Sequence, residues 1–151
     1  MPIILLVGMQ PLIAQQDTEF WFAAPDASAT HEDTPVRIRI STGDEPAQVT
    51  VSQPANSSFT YINLSVAANS TETVDLTSRK SMVEHSESDS VINKGIRITS
   101  SSLITAYYEV GQTFNIDIFT LKGKNALGQH FVIPGQTFWS NVSFADARSP
   151  G

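Results

Sequence analysis

The histidines stand at His31, His85 and His130, and none has a second histidine two or four residues away. A metal site built on imidazole ordinarily shows such a pair, because that spacing puts two rings on one side of a strand or helix. His31 lies in Thr30-His31-Glu32-Asp33, a stretch that reads as a solvated loop. The acidic pairs Glu32-Asp33 and Asp44-Glu45 lack the alternating oxygen ligands and the central glycine of a helix-loop-helix calcium site. Carboxylates from several separate turns could still gather around calcium in space. Glu109 and Asp117 are candidates to face each other across a hairpin and imitate a glycosidase acid pair. Among fifteen Asp and Glu residues such a pairing arises easily by chance. No serine sits in a Gly-x-Ser-x-Gly elbow, and no serine has a histidine placed to suggest a triad. Gly123-Lys124-Asn125-Ala126-Leu127-Gly128 looks like a phosphate loop only superficially. Its lysine comes too early, and a strand pattern follows where a helix is needed. No catalytic, cofactor-binding or metal-ligating residue is assigned, and no cofactor is expected. The chain reads as a non-enzyme.

Composition narrows the partners. The absence of cysteine removes disulfide frameworks, thiolate zinc sites, iron–sulfur clusters and cysteine nucleophiles together. Nine Lys and Arg against fifteen Asp and Glu give a net charge of −6. The nearest thing to a basic stripe is Lys122 with Lys124, far short of what phosphate neutralisation needs. Nucleic acid is disfavoured. Charged residues make up 16% of the chain, against roughly 25% in ordinary soluble domains. Ser, Thr, Asn and Gln must supply the polar surface, which suits exposed strands. The sequons at Asn56, Asn63, Asn69 and Asn141 would matter in a eukaryotic secretory route. In a bacterial chain rich in Ser and Thr they are coincidence.

The elements that must position these residues are short strands. Residues 1–14 carry the apolar run Ile3-Ile4-Leu5-Leu6-Val7-Gly8-Met9 and end at Ala14. They are predicted to form a secretory signal, perceptible despite the missing amino-terminal basic residue; the alternative is a buried first strand. No segment approaches the roughly 20 apolar residues of a membrane-spanning helix. Glu19-Phe20-Trp21-Phe22-Ala23-Ala24 reads as a strand ending at Pro25. Val36 to Ile40, Val49 to Ser52, Tyr61 to Val66 and Thr73 to Leu76 alternate as strands do. A helical turn or two is predicted between Thr77 and His85, with Thr77 as its cap. Gly95 to Thr99 and Leu103 to Val110 flank Ser100-Ser101-Ser102, which suggests a hairpin. Ile116 to Leu121 and His130 to Ile133 follow, separated by a glycine-bearing loop.

Many short alternating strands predict an all-β fold, an antiparallel two-sheet β-sandwich over residues 17–151. Its core is expected to draw on Phe20, Phe22, Val36, Ile38, Ile40, Val49, Val51, Ile62, Leu64, Ile96, Ile98, Tyr107, Phe119 and Phe131. Trp21 is expected in the core as well, since three consecutive aromatics are costly to leave in water. The tail carries Phe138-Trp139 and Val142-Ser143-Phe144 and then stops at Gly151, so the sandwich is expected to continue beyond the chain.

Four stretches fall in one order: Thr18-Glu19-Phe20-Trp21-Phe22-Ala23; Asn93-Lys94-Gly95-Ile96-Arg97-Ile98; Ile104-Thr105-Ala106-Tyr107-Tyr108-Glu109; and Asp117-Ile118-Phe119-Thr120-Leu121-Lys122-Gly123-Lys124-Asn125-Ala126-Leu127-Gly128. Together they resemble the bacterial branch of the family named after the IgGFc-binding protein N-terminal domain, over roughly residues 17 to 144. The resemblance implies a long secreted protein of gliding, type IX-secreting Gram-negative bacteria, with a surface location and an interaction role. It carries over no catalytic residue. Nothing in the residues supports immunoglobulin binding. The expectation is a non-catalytic binding or structural module of an adhesin-like protein, with a protein or glycan partner at the cell surface. The alternative is an accessory carbohydrate-binding domain of an extracellular hydrolase, in which Trp21, Tyr61, Tyr108 and Trp139 would face solvent in a row.

Overall fold

The computed structural model describes residues 15–26, 34–87, 90–112 and 115–124. Within them the chain is mostly strand. β1 is Asp17–Phe22, β2 Ala24–Pro25, β3 Val36–Thr42, β4 Ala47–Ser52, β5 Ile62–Val66 and β6 Thr71–Asp75. A single 3-10 turn, Thr77–Arg79, leads into the one-turn helix α1, Lys80–Val83. β7 (Glu84–His85), β8 (Ile96–Gln112) and β9 (Asn115–Thr120) complete the order. β2 and β7 make a small parallel pair, and the other strands form one seven-stranded antiparallel sheet.

The long strand β8, 17 residues, organises that sheet. Its first part pairs with β1 on one side and β4 on the other. Its second part pairs with β9 and β3. β5 and β6 then flank β4 and β3. The hairpin expected around Ser100-Ser101-Ser102 is therefore not formed. The two flanks are one strand, because each already has antiparallel partners on both sides and gains nothing by pairing with the other. The serines instead bend it: Ser100 Oγ donates to the Ser102 carbonyl at 2.7 Å.

The bend doubles the sheet over. Phe22 lies opposite Ile96, and from Ile96 to Tyr108 a straight strand would run about 40 Å at ~3.3 Å per residue. The rings of Phe22 and Tyr108 nevertheless stand 5.2 Å apart. Neighbouring strands break at the same level. β3 gives way to β4 across Gly43–Pro46, and β5 to β6 across Ala67–Ser70. Asn69 there has φ of 52°, a left-handed conformation that Asn tolerates better than most residues. Thr42 N–H donates to the Ser70 carbonyl at 3.0 Å, and Asn69 N–H to the Gly43 carbonyl at 2.7 Å. The corner's backbone polar groups are thereby partly satisfied.

One core lies inside this fold. It joins Phe20, Val49, Val51, Ile96 and Ile98 from one half to Val36, Ile38, Ile40, Val74, Ala106 and Tyr108 from the other. Along β8 the inward positions are Ile96, Ile98, Ile104, Ala106, Tyr108 and Val110, one alternation carried through the bend. That parity corrects one expectation: Tyr108, 2% exposed, is the core tyrosine and Tyr107 is only half-buried. Phe119 is a second correction. It stacks on Tyr108 with centroids 6.2 Å apart, but it sits on the edge strand β9 and stays 49% exposed. Phe22, Ile62 and Leu64 pack partly buried against the core. Phe131 and the strand expected at His130 to Ile133 lie outside the described residues.

The helix is present but differently anchored. Thr77 makes no side-chain cap; its hydroxyl accepts from Val36 N–H at 3.1 Å and ties the turn to β3. Gln53 is buried in the loop after β4. Its amide nitrogen donates to the carbonyls of Met82 and Lys94, and its oxygen accepts from Asn56. A buried amide so fully bonded fastens three segments at little net desolvation cost.

Candidate functional site

The outward side of the first half-sheet is built by the same alternation that fills the core. With Phe20 and Ile98 pointing in, their neighbours Glu19, Trp21, Arg97 and Thr99 point out. Registers run straight across the strands. Trp21 faces Arg97, and Arg97 faces Ser52; Glu19 faces Thr99, then Thr50, then Asn63. Thr50 Oγ1 donates to Asn63 Oδ1 at 2.7 Å, and Ser65 Oγ to Gln48 Oε1 at 2.8 Å. The result is a ladder of neutral hydroxyls and amides with Trp21 and the Arg97–Glu19 pair at its side.

Trp21 is not in the core; it is 46% exposed. Two contacts make that position tolerable. The Arg97 guanidinium lies 5.5 Å from the indole centroid, a cation–π contact. The indole Nε1 donates to Glu19 Oε1 at 2.9 Å, and Arg97 Nε donates to the same oxygen at 2.8 Å. Tyr61, which immediately precedes β5, is 59% exposed. Of the four aromatics expected in a row for a carbohydrate-binding domain, Trp21 and Tyr61 are outward, Tyr108 is buried and Trp139 lies outside the described residues.

The second half-sheet carries a charged cluster. Glu109 is 1% exposed although it lies on the outward side, in one row with Ile118, Arg37 and Asp75. Arg37 Nη1 donates to it at 3.3 Å, Arg39 Nε donates to its other oxygen, and Arg37 Nε also donates to Asp75 at 3.2 Å. Asp117 is opposite Val110, one position from Glu109 and hence on the other side of the sheet. The two carboxylates cannot work on one bond. Glu109 is a structural anion.

The remaining candidates disperse. Asp44 and Glu45 are exposed at the turn between β3 and β4, beside Ser102 and Leu103. His85 places Nδ1 3.2 Å from the Ala24 carbonyl, within the β2–β7 pair. His31, Glu32, Asp33, His130 and Asn141 lie outside the described residues. Among the described residues no group of three or more His, Asp or Glu is placed to hold a metal ion. Gly123 is buried against Asp17, where an added Cβ would collide with the Asp17 side chain. Asp17 also accepts from Lys124 N–H at 2.6 Å. Close packing of β1 on this turn accounts for the glycine without any phosphate. No helix among the described residues is long and apolar enough to cross a membrane. No protein-family model matches the chain, and no curated protein or solved structure matches it.

The carboxylates give the fold an acid limit. The Arg39 hydrogen bond, with Arg37 beside it, holds Glu109 below its ordinary range against the opposing effect of burial. The Thr77 hydroxyl and backbone N–H, then Arg37, hold Asp75 low. Burial raises Asp17, but the N–H groups of Lys124 and Thr18 and the Lys124 ammonium outweigh it. Trp21 and Arg97 lower Glu19 by hydrogen bonding. Carboxylates depressed in the folded state stabilise it fully above their unfolded values, about pH 4 to 4.5, and the stabilisation goes as pH falls through the folded values. Thermal melts are expected to be level from neutrality to about pH 5 and to fall steeply below pH 4. A midpoint unchanged at pH 3 would contradict these ion pairs.

Proposed function

We propose that this chain is a non-catalytic binding module of an exported, adhesin-like cell-surface protein, and that it recognises its partner on the outward side of β1, β8, β4 and β5. The observation that carries the reading is Trp21. A large aromatic held half-exposed by two partners, on a rigid strand, is a ready-made recognition group. Catalysis asks for groups that exchange protons or electrons, whereas Glu19 and Arg97 are occupied in holding the indole. The two-sheet sandwich belongs to this proposal, with the halves of the doubled sheet as its two layers. So does membership of the IgGFc-binding N-terminal domain family, with secretion by the type IX route in a gliding Gram-negative bacterium.

The second reading, an accessory carbohydrate-binding domain of an extracellular hydrolase, is favoured by the exposure of Trp21 and Tyr61. The rest of the gene separates the two. A catalytic domain in the same polypeptide favours the hydrolase, and adhesion repeats with a sorting signal favour the adhesin. Export is tested directly by amino-terminal sequencing of protein from culture medium or the cell surface. The mature chain is expected to begin at Gln15 or within two residues of it, as Ala14 would leave it. Intact Met1 on the exported form, or protein confined to the cytosol, would contradict the proposal.

A further inference from the structure

We infer that the outward side of β1, β8, β4 and β5 binds a neutral polysaccharide, with Trp21 as the platform on which a sugar ring stacks. This rests on the reading of the chain as a binding module and names the chemistry of its ligand.

Charge is the first argument. The chain carries a net −6, yet this surface is balanced. Its ion pair, Arg97 with Glu19 at 2.8 Å, is closed on itself, and the Thr99, Thr50 and Asn63 positions beside it are neutral. An anionic polymer finds no free cation here and is repelled by the molecule as a whole. A neutral polyhydroxyl chain needs what this surface offers, groups that donate and accept hydrogen bonds without a charge to desolvate.

Shape is the second. Strands stand about 4.8 Å apart, so the row Glu19, Thr99, Thr50 and Asn63 sets polar groups at regular intervals across the strands. The Arg97 guanidinium lies 5.5 Å from the indole centroid, and Trp21 keeps 46% of its surface in solvent. The C–H side of a sugar is weakly positive and suits the negative side of an aromatic ring. Tyr61 falls at the far side of the half-sheet, about 14 Å from Trp21 across three strand spacings. An extended chain could span both.

Preorganisation is the third. The indole is already fixed through Nε1 and through Arg97, so little rotamer freedom remains to be lost on binding. A protein partner would want a broader apolar centre than an indole held by an ion pair beside a row of neutral polar side chains.

Affinity electrophoresis in gels containing hydroxyethylcellulose, xylan, laminarin or galactomannan tests this, with alginate as the anionic comparison. At least one neutral polymer is expected to retard the wild-type chain, and alginate is not. Trp21→Ala should weaken the retardation roughly tenfold or more, the scale of a hot-spot aromatic, with its melting midpoint kept. Asn63→Ala supplies a second test from the opposite side of the surface, with a several-fold loss expected, should Trp21→Ala fold poorly. Retardation by none of the neutral polymers, by alginate alone, or undiminished in both variants would overturn the inference. If these polymers fail while Trp21 is still needed for retention on cells, the binding-module reading survives and the polysaccharide does not.

Discussion

Phe20→Ala is expected to cost about 3–5 kcal/mol, the range for a fully buried aromatic that leaves a cavity, while Trp21→Ala next to it costs about 1 or less. The contrast follows from alternation. Phe20 points into the core between Ile98 and its neighbours, and Trp21 points out over Arg97. Truncating Trp21 forfeits one cation–π contact and one partly exposed hydrogen bond, and water replaces both. Urea denaturation of the two variants measures the difference, and an unchanged slope would show that only stability has moved. Equal losses, or the larger loss at Trp21, would mean that β1 is turned the other way and that the recognition surface is misplaced.

Glu109→Gln is expected to destabilise the fold by about 2–3 kcal/mol, the scale of lost hydrogen bonds to charged groups. The carboxylate is buried and accepts from both Arg37 and Arg39. A neutral amide of the same shape places N–H groups where only acceptors fit. Removing one partner of a fully buried ion pair can cost about 3–5 kcal/mol. The smaller figure applies here because the two arginines are more than a third exposed and rehydrate when released. The variant should also lose part of the acid sensitivity described above. A wild-type midpoint at neutral pH together with a wild-type acid transition would show that Glu109 is not the anion that holds β3 to β8.

Much of the fold was legible because alternation is a local property. The inward positions of β3 and β4, and Ile96 and Ile98 on β8, follow from residues two apart. Pairing is not local, and there the reading failed. Ser100-Ser101-Ser102 has turn chemistry, and only the partners on both sides of β8 decide that it bends the strand without reversing it. The choice of Tyr107 over Tyr108 came from the same break, since a hairpin would have restarted the alternation that one strand carries through. Trp21 was misread for a different reason. The cost of exposing an aromatic was weighed without the residues that cover it, and Arg97 is 76 positions away in sequence. Gln53 gave no periodic signal at all; its burial depends on carbonyls of Met82 and Lys94 that only the folded chain brings near. The all-β class survived these errors because it needs the number and kind of strands and not their order.

Binding at Trp21 is tested most directly by retention of the fluorescently labelled chain on intact cells of the source organism. Saturable retention is expected from the wild-type chain, and also from Thr73→Ala, an exposed position on β6 beside β3 in the other half of the sheet. Trp21→Ala should lose that retention while keeping its melting midpoint. Retention equal in wild type and Trp21→Ala, or no saturable retention by either, would contradict the assignment of this surface as the binding site.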